Sequence, residues 1–129
     1  MYDCIDKIRP YIMVSIGSLA GALLRIKVIN LFHLNQRSNL KAIFTVNIAS
    51  IFLLGLFVGF ENKNSYINNS IYLLTCVGFL GSLGTFSSFI SELYSLLIKD
   101  KLVDFIVQAI VFTFLGIFFA YLGYLLGKS

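Results

Sequence analysis

Long apolar runs separated by short polar patches fill this chain, at about residues 11–32, 42–60, 70–98 and 102–126. A hydrocarbon layer about 30 Å thick is crossed by around 20 apolar residues in a helix. The pattern therefore predicts four transmembrane helices and an all-α membrane protein. Polar connections fall from His33 to Lys41, from Glu61 to Asn69, and at Lys99-Asp100-Lys101. The last is short enough to be a tight hairpin. Pro10, the only proline, suits a helix start, where its missing N–H is no loss. No repeat or low-complexity linker interrupts the chain, so residues 1–129 are expected to form one domain.

The third run contains a stretch that ordinary lipid-facing helix would not tolerate: Gly78-Phe79-Leu80-Gly81-Ser82-Leu83-Gly84-Thr85-Phe86-Ser87-Ser88-Phe89. Lipid offers no hydrogen bonds to loosened backbone. A Gly-rich interruption at bilayer depth survives only when it is buried in protein or faces a wet or ion-filled cavity, and broken helices of this kind mark ion sites in transporters. The third helix is expected to be broken in mid-membrane, and the chain to conduct ions.

Composition removes the main rivals. Of 129 residues 58% are apolar and 12% charged, against roughly 45–50% and 25% in soluble domains. The net charge of +4 comes from Lys and Arg scattered in ones and twos, without the basic stripe that nucleic-acid binding needs. Cys4 and Cys76 form neither a disulfide framework nor a metal-binding pattern, and His33 is solitary, so a transition-metal site is not expected. The N-terminus carries acidic residues where a signal peptide is basic, so the first apolar run is expected to stay in the mature protein. Neither a P-loop nor a nucleophile and base at sensible spacing is present, which argues against an enzyme.

Orientation is weakly specified. With four spans, Lys7, Arg9, Lys63 and Lys128 fall on one side. Arg37, Lys41, Lys99 and Lys101 fall on the other, with Lys27 and, if counted, Arg25. Lys and Arg near segment ends set topology. So small a bias predicts insertion both ways up, and hence an antiparallel dual-topology homodimer. Four helices also pack solid, leaving little room for a pore in one chain. Glycines four apart, Gly17 and Gly21 and Gly55 and Gly59, with Gly116, Gly123 and Gly127 in the last run, read as close helix packing in lipid.

Few polar residues lie inside the runs. Arg25 either draws anions towards a vestibule or snorkels to the interface beside Lys27. Asn47 either glues helices together or faces an ion path, where its amide can donate two hydrogen bonds. Glu92 is the only acidic residue well within a run, but it lies towards the end of that run. Phe86 and Phe89 share one helix face, with Thr85 and Ser88 in a row beside them. Phenyl rings carry a positive edge, so inward-turned edges can contact a partly dehydrated anion, with hydroxyls adding hydrogen bonds. Around Gly81 and Gly84, carbonyls leaving the helical ladder can hold a hard cation.

Three stretches then carry a family likeness: Gly17-Ser18-Leu19-Ala20-Gly21-Ala22-Leu23-Leu24-Arg25, Val46-Asn47 followed by Phe52-Leu53-Leu54-Gly55, and Gly78-Phe79-Leu80-Gly81 leading into Thr85-Phe86-Ser87-Ser88-Phe89 and Glu92. On these the chain resembles the Fluc, or CrcB, fluoride channels. The resemblance implies a dual-topology homodimer in the bacterial inner membrane. It would have two antiparallel fluoride pores, passive export of fluoride, and one structural sodium ion at the dimer centre. It assigns Gly81 and Gly84 as sodium-ligating carbonyls, Phe86 and Phe89 as ring edges, and Asn47 as the pore amide. Thr85 and Ser88 become pore hydroxyls, Thr113 a looser fourth-helix match, and Arg25 an arginine near the pore entrance. The chain departs from the family pattern at Gly84, where a threonine is usual, and at Ala49, where a glycine is usual. It also has Ala109 or Ile110 where a tyrosine is common. The rival reading is a small dual-topology proton-coupled multidrug antiporter. That would need a carboxylate near the midplane, and Glu92 is off-centre.

Overall fold

The computed structural model describes residues 2–34, 39–63 and 68–129. Every regular element among them is helical. In chain order they are α1 (Tyr2–Leu34), α2 (Asn39–Lys63), α3 (Asn69–Tyr72), a π-helical stretch (Leu73–Leu80), α4 (Gly81–Leu83), α5 (Phe86–Ile98) and α6 (Leu102–Lys128). Among the described residues, four helical segments are long and apolar enough to cross a membrane: Lys7–Phe32, Leu40–Lys63, Asn69–Ile98 and Leu102–Lys128. Arg37 and the side chains of Cys4 and His33 lie outside the described residues.

The spans coincide with the apolar runs, and the helices overrun them because polar residues at their ends can continue the helix beyond hydrocarbon. α2 thus starts at Asn39 and ends at Lys63. Pro10 lies inside α1 instead of opening it. Its missing N–H removes one rung of the ladder, yet the helix continues on both sides.

Two glycine seams hold the bundle. Along α2 and α6 the small residues interlock: a Cβ at Gly55 or Gly59 would collide with the carbonyl of Ala120 or Tyr124. One at Gly123 or Gly127 would strike that of Phe52 or Leu56. The second seam joins α1 to the third span. There a Cβ at Gly17 or Gly21 would run into the Leu74 or Phe79 carbonyl, and one at Gly78 would lie 2.7 Å from the Val14 oxygen. In lipid, helices associate through packing of this kind, since tails are as apolar as side chains. The Ser82 hydroxyl adds a hydrogen bond to the Ser18 carbonyl, 2.9 Å, across the second seam.

Between α5 and α6 the chain turns at Lys99-Asp100-Lys101. Asp100 adopts φ 55°, the one left-handed non-glycine residue among those described. Its N–H donates to the Leu97 carbonyl at 3.1 Å, and the Lys101 N–H to the Leu96 carbonyl at 2.9 Å. This pair of bonds is the Schellman closure of a helix C-terminus, and it makes the hairpin tight. The core proper is small: Val46, Leu80 and Leu83, packed by Val28 and Phe79. Large apolar side chains cover the outside, including Val103, Phe114 and Ile117 on α6.

Candidate functional site

The third span changes its backbone geometry twice. The π-helical residues Leu73–Leu80 face the α1 glycines. At Gly84 (φ −84°, ψ 131°) and Thr85 (φ −133°, ψ 112°) the backbone is extended, and helix resumes at Phe86. In an uninterrupted helix the Thr85 N–H would bond the Gly81 carbonyl. Here it donates instead to Asn47 Oδ1 at 2.6 Å, and Asn47 Nδ2 donates back to the Thr85 carbonyl at 3.4 Å. One buried amide from α2 thus takes the N–H that the helix has released and adds a second donor to the Thr85 carbonyl, which also accepts from the Phe89 N–H of α5 at 3.4 Å.

Asn47 is itself held. It is 5% exposed, and the buried Ser50 hydroxyl donates to the Asn47 carbonyl at 2.8 Å. Ser50 also sets the space for Gly84: a Cβ there would collide with Ser50 Oγ and lie 3.3 Å from Ser50 Cβ and 3.4 Å from Asn47 Oδ1. At Gly81 a Cβ would meet only the Cys76 carbonyl, at 3.5 Å. Ser50 and Asn47 of α2 thus crowd Gly84, whereas nothing crowds Gly81.

The residues singled out from sequence gather in part. Asn47, Gly81, Gly84, Thr85 and Phe86 line one cavity of about 260 Å³, and Ser50 joins them. Phe86, Phe89 and Thr113 line an adjoining groove of about 320 Å³. Phe86 is 73% exposed and Phe89 5%. The Thr113 hydroxyl donates to the Ala109 carbonyl at 2.8 Å, which occupies its proton. Ser88 and Arg25, both half-buried, line neither space.

Phe112 was not singled out by its sequence context, yet it lines both spaces. Its ring stacks on Phe89, centroids 3.8 Å apart at 22°, and meets Phe44 edge-on at 5.5 Å and 70°. The two nearly parallel rings of Phe89 and Phe112 present their positive edges in similar directions. One phenylalanine among thirteen carries no mark in the sequence. No group of three or more His, Cys, Asp or Glu side chains able to hold a metal occurs among the described residues. A cation here would have to rely on backbone or amide oxygens.

Comparison with known proteins covers most of the chain. Residues 12–124 match the family described as CrcB-like protein, Camphor Resistance (CrcB). A fluoride-specific ion channel, FluC 2, of Prochlorococcus marinus is 39% identical over 95% of both chains. FluC 1 of Parasynechococcus marenigrum, also named a fluoride-specific ion channel, is 35% identical over 90% of this chain and 91% of its own. A FluC 2 of Bacillus cereus, again so named, is 32% identical over 90% of this chain and 95% of its own. With the match reaching into all four candidate membrane helices, this chain belongs to the CrcB family.

Proposed function

We propose that this protein is a fluoride-specific channel of the bacterial inner membrane, which lets fluoride leave the cell down its electrochemical gradient and so lowers its cytoplasmic concentration. Membership of a family of ion channels, not enzymes, supports the class. The observation that carries the site is the extended Gly84-Thr85 pair, held by Asn47 beside the ring of Phe86 on the wall of one cavity.

Fluoride is small and strongly hydrated, so its path must replace water at comparable strength and be too narrow for larger anions. The edges of Phe86 and Phe89 supply positive contacts. Asn47, Thr85 and Ser88 supply hydrogen-bond donors near the path, Thr113 borders it with a hydroxyl whose proton is spent on the Ala109 carbonyl, and Arg25 adds an attracting charge near its mouth. The first-turn N–H groups of α5, next to Phe86, add the positive end of a helix dipole. The working unit is an antiparallel pair of copies meeting at the interruption of the third span, which lies at bilayer depth. Support comes from the weak Lys and Arg bias and from the wide apolar cover that one chain leaves on α6. A structural sodium ion at the dimer centre would be held by the carbonyls of Gly81 and Gly84. The diversion of the Thr85 N–H to Asn47 leaves the Gly81 oxygen without its helical partner, and such oxygens suit a hard cation. When bound, sodium would supply a fixed positive charge that ties the two copies together.

In a planar bilayer under a fluoride gradient, the current through the purified protein should reverse at the fluoride equilibrium potential, unmoved when chloride is exchanged for a larger anion. A reversal potential that follows chloride or protons would exclude the proposal.

A further inference from the structure

A separate cavity of about 580 Å³ lies between α1, α2, α5 and α6, outside the two spaces that hold Phe86. Lys41, Phe44, Thr45, Phe89 and Gln108 are among its walls. Phe89 also borders the groove that holds Phe86 and Thr113, so this ring lines both spaces. Whatever fills the cavity arrives against a ring of the proposed fluoride path.

The polar groups of the cavity are unequal. The Thr45 hydroxyl spends its proton on the Lys41 carbonyl, at 2.8 Å, and has none to offer a ligand. Gln108 differs: its Oε1 is turned into the wall and is the one buried side-chain polar atom without a partner among the described residues. A buried oxygen with no donor is unfavourable, and reversing the amide would bury two N–H donors in its place. The amide therefore leaves its N–H groups to the open side. Lys41, exposed at the α2 end of the same cavity, contributes a full positive charge.

We infer that the Lys41–Gln108 cavity is an anion vestibule, in which Lys41 concentrates small monovalent anions and the Gln108 amide N–H contacts the anion before it passes Phe89. This rests on the fluoride reading, and it adds Gln108 and Lys41 to the residues that an anion meets before Phe89.

The test is fluoride efflux from liposomes combined with thermal unfolding of the same full-length variants. Gln108→Leu removes the donors but also the unpartnered oxygen. It should raise the thermal midpoint while slowing fluoride efflux about tenfold, the scale of one lost hydrogen bond to an ion. Gln108→Glu places an acceptor against the anion and should slow efflux further. Lys41→Gln should slow efflux at low ionic strength, with the difference fading near 1 M salt, where the screening length is about 3 Å. Gln108→Leu with undiminished efflux, or equal losses for the Leu and Glu variants with lowered midpoints, would overturn the vestibule and leave the fluoride reading standing. Wild-type protein that passes no fluoride would overturn the reading itself.

Discussion

Asn47 and Thr85, 38 residues apart in sequence, exchange two hydrogen bonds: the Thr85 N–H to Oδ1 at 2.6 Å and Nδ2 to the Thr85 carbonyl at 3.4 Å. This side chain stands in for the helical ladder where the third span departs from it. Asn47→Leu keeps the volume but leaves the Thr85 N–H buried without an acceptor. It should cost about 1–3 kcal/mol of stability and abolish fluoride efflux, read by thermal unfolding and by liposome assay. Full retention of both would show that the amide is not what holds the interruption open.

Gly84 and Gly81 should respond unequally to the same added methyl group. Gly84→Ala pushes a Cβ into Ser50 Oγ, whereas Gly81→Ala meets only a carbonyl at 3.5 Å. Overpacking of this sort costs roughly 1–3 kcal/mol. The expected result is a clear loss of thermal stability for Gly84→Ala, little for Gly81→Ala, and recovery of Gly84→Ala by Ser50→Gly. Absence of that recovery would mean that Ser50 is not what limits the space at this position, since φ −84° is open to any residue.

The Phe89–Phe112 stack predicts energetic coupling. Paired aromatic rings are worth about 0.5–1.5 kcal/mol beyond their burial. A double-mutant cycle with Phe89→Leu and Phe112→Leu should return a coupling of that size. Phe112→Leu alone should slow fluoride efflux several-fold, since Phe89 would lose the ring that fixes its edge. Independent, additive effects would remove Phe112 from the site.

Much of the architecture was legible in the chain, for a simple reason: hydrophobic length is a direct record of bilayer thickness. The four spans and the tight turn at Asp100 follow from composition and spacing. Gly55, Gly59 and the glycines of the last run were readable as close packing, and Gly55, Gly59, Gly123 and Gly127 meet in a single seam. What escaped is what depends on contacts between distant residues. Gly81 and Gly84 looked equivalent. Only the approach of Asn47 and Ser50 from α2 puts the extended backbone at Gly84 and Thr85, while Gly81 keeps helical dihedrals (φ −63°, ψ −32°). The π-helical stretch Leu73–Leu80 begins at no Gly or Pro. It lies along the α1 glycines, which one segment cannot announce by itself.

The fourth helix shows the same limit. Thr113 drew notice for its hydroxyl, but that hydroxyl bonds the preceding turn at Ala109. Its neighbour Phe112 carries the contact with Phe89. Pro10 erred in the other direction: a strong local signal for a helix start proved to lie within α1.

The central claim, that a fluoride-selective path runs past the interruption of the third span, is tested most directly by anion efflux from proteoliposomes holding the wild-type protein, with a potassium ionophore balancing charge. Fluoride should leave rapidly while chloride stays inside, and Phe86→Ile and Phe89→Ile should each slow the fluoride release. Equal release of fluoride and chloride, or none of either, would contradict the account.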